Sequence, residues 1–255
     1  MKMHPVDELL HDHRLASAWC AGCGIGTVVG AFLAAVTESG IGSDLIRLVS
    51  GIGCTERAAG CVNLRTCRAG RQCILDHAAD LKLADPGSHV IALMNNADLL
   101  VSGARDLDRA VRRGARLLVI HINNVIYVST RHGLVANTPY TRPSWDRRFE
   151  IPYNIPDMAV AYGASYVARW TQLHAGWMKY SIIEALSRDG VSLVEVVSPC
   201  LVYDADSGGI GESFERIRIY NSNTSFMKAG VCHRDLDIRN TESIIIGNLF
   251  DQDVS

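Results

Sequence analysis

The sequence predicts an α/β domain in which a parallel sheet is sandwiched between helices, on three observations. Short apolar runs alternate along the chain with segments whose apolar positions recur three and four apart, the pattern of buried strands between amphipathic helices. The runs are near-continuous Val, Ile and Leu, which is how strands covered on both faces read. Hydrophobic residues make up 48% and charged residues 20% of 255, enough apolar surface for a sizeable core and too little charge for a disordered chain.

Taken in order, the expected strands are residues 45–50 (LIRLVS), 89–94 (HVIALM), 117–122 (LLVIHI), 166–168 and 193–197 (LVEVV). The expected helices are 28–36, 99–113 and 177–187. An open sheet of this kind binds ligands beyond the carboxyl ends of its strands. The loops that matter are therefore 51–60, 95–98, 123–130 and 198–203. After about Tyr203 the pattern decays into Gly208, Gly209 and Gly211 and an Asn-rich stretch. Residues 1–203 are thus read as the functional domain, and 204–255 as an extension that packs on that domain or on a partner.

Basic side chains number 25 and acidic ones 27, for a net charge of −2, which argues against nucleic acid or an anionic membrane surface as the main partner. The first fourteen residues mix Asp7, Glu8 and Asp12 with histidines and lack the regions of a signal peptide, so a cytoplasmic protein is expected. Residues 15–37 carry no charge and are long enough to span a bilayer. Gly22, Gly24, Gly26 and Gly30 interrupt them, so a glycine-rich turn entering a buried helix is expected, with no membrane span. In a reducing compartment, eight cysteines point to metal or cluster ligands rather than disulfides.

Cys20 and Cys23 form C-x-x-C within WCAGCG, a pair able to hold one metal or cluster. A zinc knuckle and a redox disulfide have the same spacing. Cys54 (SGIGC) and Cys200 (SPC) each follow an expected strand, where the architecture lets them converge on one crevice. Four such thiolates suit a four-iron cluster or a structural zinc equally well. Cys61, Cys67, Cys73 and Cys232 have no such placement and read as buried, inert residues, although Cys61 and Cys67 could make a second site.

Four segments in order, WCAGCG, SGIGC, the stretch from MNNAD through AVRRG to INNVIY, and VEVVSPC, resemble the beta subunits of 2-oxoacid:ferredoxin oxidoreductases over roughly residues 17–203. The resemblance implies a thiamine diphosphate-binding fold and a beta subunit that oxidatively decarboxylates a 2-oxoacid to acyl-CoA and CO2. It implies electrons passed through a 4Fe-4S cluster held by Cys20, Cys23, Cys54 and Cys200. It further implies Mg2+, coenzyme A, a ferredoxin-type acceptor, and an alpha subunit (with gamma and delta chains in some complexes) that carries the pyrimidine-activating Glu. A lone chain is therefore expected to be inactive.

Family members end a strand in Gly-Asp-Gly-Asp and place an Asn pair after the next strand. Glycines admit the diphosphate to the backbone, while Asp and Asn hold Mg2+ through oxygen. The corresponding residues here are Asn95, Asn96, Ala97 and Asp98, then Asn123, Asn124, Val125 and Ile126, with the family-like Ala110, Arg112 and Arg113 between. By resemblance, Asn96, Asn124 and the main-chain oxygen of Ile126 hold Mg2+, and Asn96, Ala97, Asp98, Asn124, Ile126, Tyr127 and Thr130 contact the cofactor. Asn96 keeps an amide oxygen but removes the negative charge of the family Asp, so Asn96→Asp is expected to raise thiamine affinity. Asp98 either supplies the missing carboxylate or caps the following helix.

Arg131 and His132 stand where relatives carry glycines, and Arg57 keeps a basic group beyond the cluster cysteine, next to an added Glu56. All three are substrate-region candidates; Arg131 and His132 could bind an acidic or aromatic substrate or a phosphate directly, with an exposed basic loop as their plain alternative. Two further readings of the whole remain open. One is a thiamine-free iron–sulfur electron-transfer or scaffold subunit, and the other is a zinc-stabilised domain without redox function.

Overall fold

The computed structural model describes residues 5–11, 19, 23–70, 73–99, 104–124, 154–198, 217–218, 221–228, 236, 238 and 244–253. The chain passes in order through α1 (Ile25–Ser39), β1 (Ile46–Ser50), α2 (Cys54–Ala59), β2 (Arg65–Arg68), α3 (Ile74–Ala84) and β3 (His89–Asn95). It continues with α4 (Asn96–Asp98), α5 (Ala104–Arg112), β4 (Leu117–Asn123), α6 (Ile155–Ala161), β5 (Tyr166–Thr171), α7 (Ala175–Ser187), β6 (Val191–Val197), β7 (Thr224–Phe226) and β8 (Ile244–Asp251).

The strands form one sheet in the order β2-β1-β3-β4-β6-β5-β8-β7. From β2 to β5 every pairing is parallel. Among the described strands, β8 runs antiparallel to β5 and β7 pairs parallel to β8, so these two run against the rest of the sheet. The expected helix-sandwiched sheet is therefore present, with its parallel strands opening at one carboxyl edge. β3, β4, β5 and β6 are buried almost throughout, which is why they read as continuous apolar runs.

Helices cover both faces. Val28, Phe32 and Val36 of α1 and Met178, Ile182 and Ala185 of α7 pack with Leu48, Ile91, Ile120 and Val194 on one side. Ile74 and Ala78 of α3, Leu107 of α5 and Ala159 of α6 pack with Val90, Val119, Val167 and Leu193 on the other. Alternation along each strand divides its side chains between these two layers. Arg109 and Arg112 of α5, and Arg113 just after it, pair with Asp76, Asp108 and Asp80, so the family-like Arg112 and Arg113 serve α5 itself and its seam with α3.

Several elements differ from the expectation. The 51–60 loop contains the helix α2, and the 95–98 loop is the helical turn α4. β2, α3, α6, β7 and β8 were not expected from the pattern. β2 is exposed and polar, so it carries no buried-strand signal. β8 follows a long polar stretch, yet its Ile244, Ile246 and Leu249 are buried in the two layers. No helix among the described residues is long and apolar enough to cross a membrane.

Candidate functional site

β3 and β4 end side by side, with Asn95 paired to Ile122. This brings the residues after both strands together, as the topology of an open parallel sheet requires. Asn95 caps the α4 turn: its side chain accepts from the Asp98 amide at 3.0 Å, and the Asp98 carboxylate accepts from the Asn95 amide at 3.2 Å. This reciprocal box commits Asp98 to the loop that carries Asn96. A Cβ on Gly51 would lie 2.2 Å from Asp98 Oδ2, so only a glycine after β1 lets the carboxylate sit there.

Asn96 is buried. Its Nδ2 donates to Asn123 Oδ1 at 3.0 Å, and Asn123 Nδ2 donates to Glu195 Oε1 at 2.7 Å. The other Glu195 oxygen accepts from Arg169 Nε at 2.5 Å, while Arg169 Nη1 donates to the Leu236 carbonyl at 2.6 Å. The network thus crosses from β4 through β6 to β5. Asn96 Oδ1 is buried and has no hydrogen-bond partner among the described residues. A buried carbonyl oxygen left so costs about 1–3 kcal/mol, and it is the donor type that a hard divalent cation takes.

His121 completes the row. Register places it opposite Glu195, and Glu195 opposite Arg169, so three ionisable residues stand side by side on three strands, fully buried. His121 Nδ1 is 3.8 Å from Glu195 Oε1, too far for a hydrogen bond. Burial, aided by the Arg169 charge and opposed by Glu195, pushes its pKa down to about 4, so the ring is neutral at pH 7. Sequence reasoning missed Arg169, Glu195 and His121. His121 and Glu195 had one signal, an ionisable residue inside a run otherwise read as an apolar strand; Arg169 had none, because it lies one residue beyond the expected strand 166–168 and inside the longer β5.

Two of the expected cluster cysteines, Cys23 and Cys54, lie near the same edge. Cys54 opens α2 beyond β1 and is exposed; Cys23 precedes α1 and is half-buried. A Cβ on Gly24 would fall 2.2 Å from both Ser198 Oγ and Gln172 Oε1, so the backbone beside Cys23 rests directly on the ends of β6 and β5. Ser198 stands two residues before Cys200. Cys20 and Cys200 themselves, and Cys232, lie outside the described residues. Among those described, no group of three or more His, Cys, Asp or Glu is placed to hold a metal ion. Cys67 contacts His77 Nε2 at 3.0 Å, and Cys61 is buried beneath the Arg57 carbonyl at 3.2 Å.

Of the remaining candidates, Asn124 follows β4 and is half-buried, and Arg57 is exposed on α2. Ala97 lies within α4. Ile126, Tyr127, Thr130, Arg131 and His132 lie outside the described residues.

Residues 76–196 match the family described as thiamine pyrophosphate enzyme, C-terminal TPP binding domain. The stretch runs from within α3 to within β6 and contains the whole Asn96–Asn123–Glu195–Arg169 network. The chain is 36% identical over 207 residues to 2-oxoglutarate synthase subunit KorB of Methanocaldococcus jannaschii, covering 79% of this chain and 76% of that one. To the protein of the same name from Archaeoglobus fulgidus it is 36% identical over 196 residues, covering 76% and 73%. Against 2-oxoacid:ferredoxin oxidoreductase 2, subunit beta, of Aeropyrum pernix, it is 29% identical over 194 residues, covering 73% and 61%. Among solved structures, 2-oxoglutarate:ferredoxin oxidoreductase from Magnetococcus marinus superposes with a TM-score of 0.76 at 20% identity, over 98% of this chain and 86% of that one, which shows a shared fold.

Proposed function

The chain belongs to the beta subunits of 2-oxoacid:ferredoxin oxidoreductases, and from that membership we propose that it holds magnesium–thiamine diphosphate and a 4Fe-4S cluster. The complex it serves oxidatively decarboxylates a 2-oxoacid to acyl-CoA and CO2, with an alpha subunit, and gamma and delta chains where present, as partners. Electrons leave to ferredoxin or a similar carrier. The names of the relatives make 2-oxoglutarate the first substrate to test.

The observation that carries the cofactor reading is Asn96 Oδ1, a buried oxygen without a partner among the described residues, at the carboxyl edge and inside the matched thiamine domain. In this reading Asn96 and Asn124 give side-chain oxygens to Mg2+, and Ile126 gives a main-chain oxygen. Ala97, Asp98, Tyr127 and Thr130 border the cofactor, and Arg57, Arg131 and His132 are the groups to contact substrate. Thiamine diphosphate supplies the carbanion-stabilising chemistry when bound; this chain grips its diphosphate and metal. For the cluster, Cys20, Cys23, Cys54 and Cys200 are the ligands. The close approach of Gly24 to Ser198 supports bringing the first pair toward the last cysteine.

The test is calorimetric titration of the anaerobically co-expressed complex with thiamine diphosphate and Mg2+, with iron and sulfide counted on the same sample. Saturable, Mg2+-dependent binding together with about four irons per chain is expected. Iron without thiamine binding overturns the reading and leaves a thiamine-free electron-transfer subunit.

A further inference from the structure

The polarity of the buried network follows from one end. Arg169 only donates, so the Glu195 oxygen it meets must accept. A carboxylate only accepts, so the Asn123 group facing Glu195 is its NH2, and the Asn123 oxygen faces Asn96. The Asn96 group facing that oxygen is its own NH2, and Oδ1 is left on the other side of the amide, buried and without a partner among the described residues. Each choice forces the next. We propose that Glu195 is a positioning residue for the metal–diphosphate site: through Asn123 it fixes the side-chain amide of Asn96, so that Asn96 presents oxygen to the bound cation. The inference rests on the reading that this site takes Mg2+ and thiamine diphosphate.

It also bears on why an amide, rather than a carboxylate, stands at position 96. A carboxylate there would place an acceptor about where Asn96 Nδ2 now lies, 3.0 Å from Asn123 Oδ1, with no proton between them. Asn123 cannot turn to relieve this, because its oxygen would then face Glu195. The Asn96→Asp change, which charge counting alone predicts to tighten metal binding, is therefore unfavourable in this setting. Replacing Glu195 by Gln reverses the polarity as a unit. Arg169 holds the Gln oxygen, the Gln NH2 meets Asn123, and Asn123 turns its NH2 toward position 96. An Asn at 96 then turns its own oxygen inward and its NH2 toward the cation. An Asp at 96 instead accepts from Asn123 and keeps a carboxylate oxygen for the metal.

The experiment is Mg2+ titration of the assembled complex at saturating thiamine diphosphate, followed by calorimetry, for wild type, N96D, E195Q and N96D/E195Q. Each single variant is expected to weaken Mg2+ binding by about tenfold or more, the scale for groups that orient metal ligands. The double variant should bind at least as tightly as wild type. Because E195Q disturbs a buried ion pair, a second cycle with N123A leaves that pair intact. There N96D, harmful in the parent, is expected to tighten Mg2+ binding relative to N123A alone. Tightening by N96D in the wild-type background, or independent effects in both cycles, overturns the positioning role while leaving the thiamine reading standing. A wild-type complex that takes up neither Mg2+ nor thiamine diphosphate overturns that reading and the positioning role with it.

Discussion

His121 shows at the residue scale what the buried row costs. Both ring nitrogens are buried without a hydrogen-bond partner among the described residues, and the ring lies beside a guanidinium–carboxylate pair it does not join. Burial is the first cause of its lowered pKa; Arg169 adds to it and Glu195 opposes it. With a folded value of about 4 against an ordinary 6.5, the unfolded chain takes up the proton first. Stability from this residue is therefore complete above about pH 6.5 and is lost as pH falls through about 4, a span worth about 3 kcal/mol. His121→Leu removes the titration and two unsatisfied nitrogens together. We expect its melting temperature to fall less than that of wild type between pH 7 and pH 5, by roughly 4–8 °C for about 2 kcal/mol in a domain of this size. Parallel melting curves over that range would show that His121 is not the acid-sensitive group.

Gly24 makes the corresponding argument for elements, because α1, β5 and β6 meet at its Cα. A methyl there would collide with Ser198 Oγ and Gln172 Oε1, themselves joined by a 2.9 Å hydrogen bond at the two strand ends. Gly24→Ala must therefore push the Cys23 segment off the sheet edge, while the buried body of α1, from Val28 onward, stays in place. The expected outcome is a folded complex with near-native circular dichroism and less than half the wild-type iron per chain. Retention of full iron would separate the cluster from this contact. The same elements show what was readable beforehand. β3, β4 and β6 were legible because a strand buried on both faces has almost no choice but Val, Ile and Leu. β2 was not, since an exposed edge strand such as Arg65–Arg68 imposes no such choice. At the site, Asn96 and Asn123 were visible as residues following strands. Glu195 acts 72 residues from Asn123, and Arg169 lies 26 residues from Glu195; only the register of β4, β6 and β5 brings them into line.

At the scale of the whole molecule, the question is how much of an active site one chain contains. The carboxylates that the described residues place in the site are two, Asp98 and Glu195, and both are engaged. Asp98 closes the capping box on Asn95, and Glu195 holds Arg169 and Asn123. Removing either from its partners to move protons would leave the other members of a buried network unpaired, which costs several kcal/mol where an ion pair is broken. His121 is neutral, buried and on the far side of Glu195 from Arg169. Among the described residues, then, each ionisable group at this edge is already committed to a partner or held neutral, which accords with the proposal that the alpha partner supplies the acid–base group that activates the cofactor. Purified alone, with its cluster reconstituted and with thiamine diphosphate and Mg2+ supplied, this chain is expected to give no 2-oxoglutarate-dependent reduction of a one-electron dye. Adding the alpha subunit should restore it, with rate rising to a plateau at one partner per chain. Turnover by the isolated chain would place the activating group on this chain and overturn that division of labour.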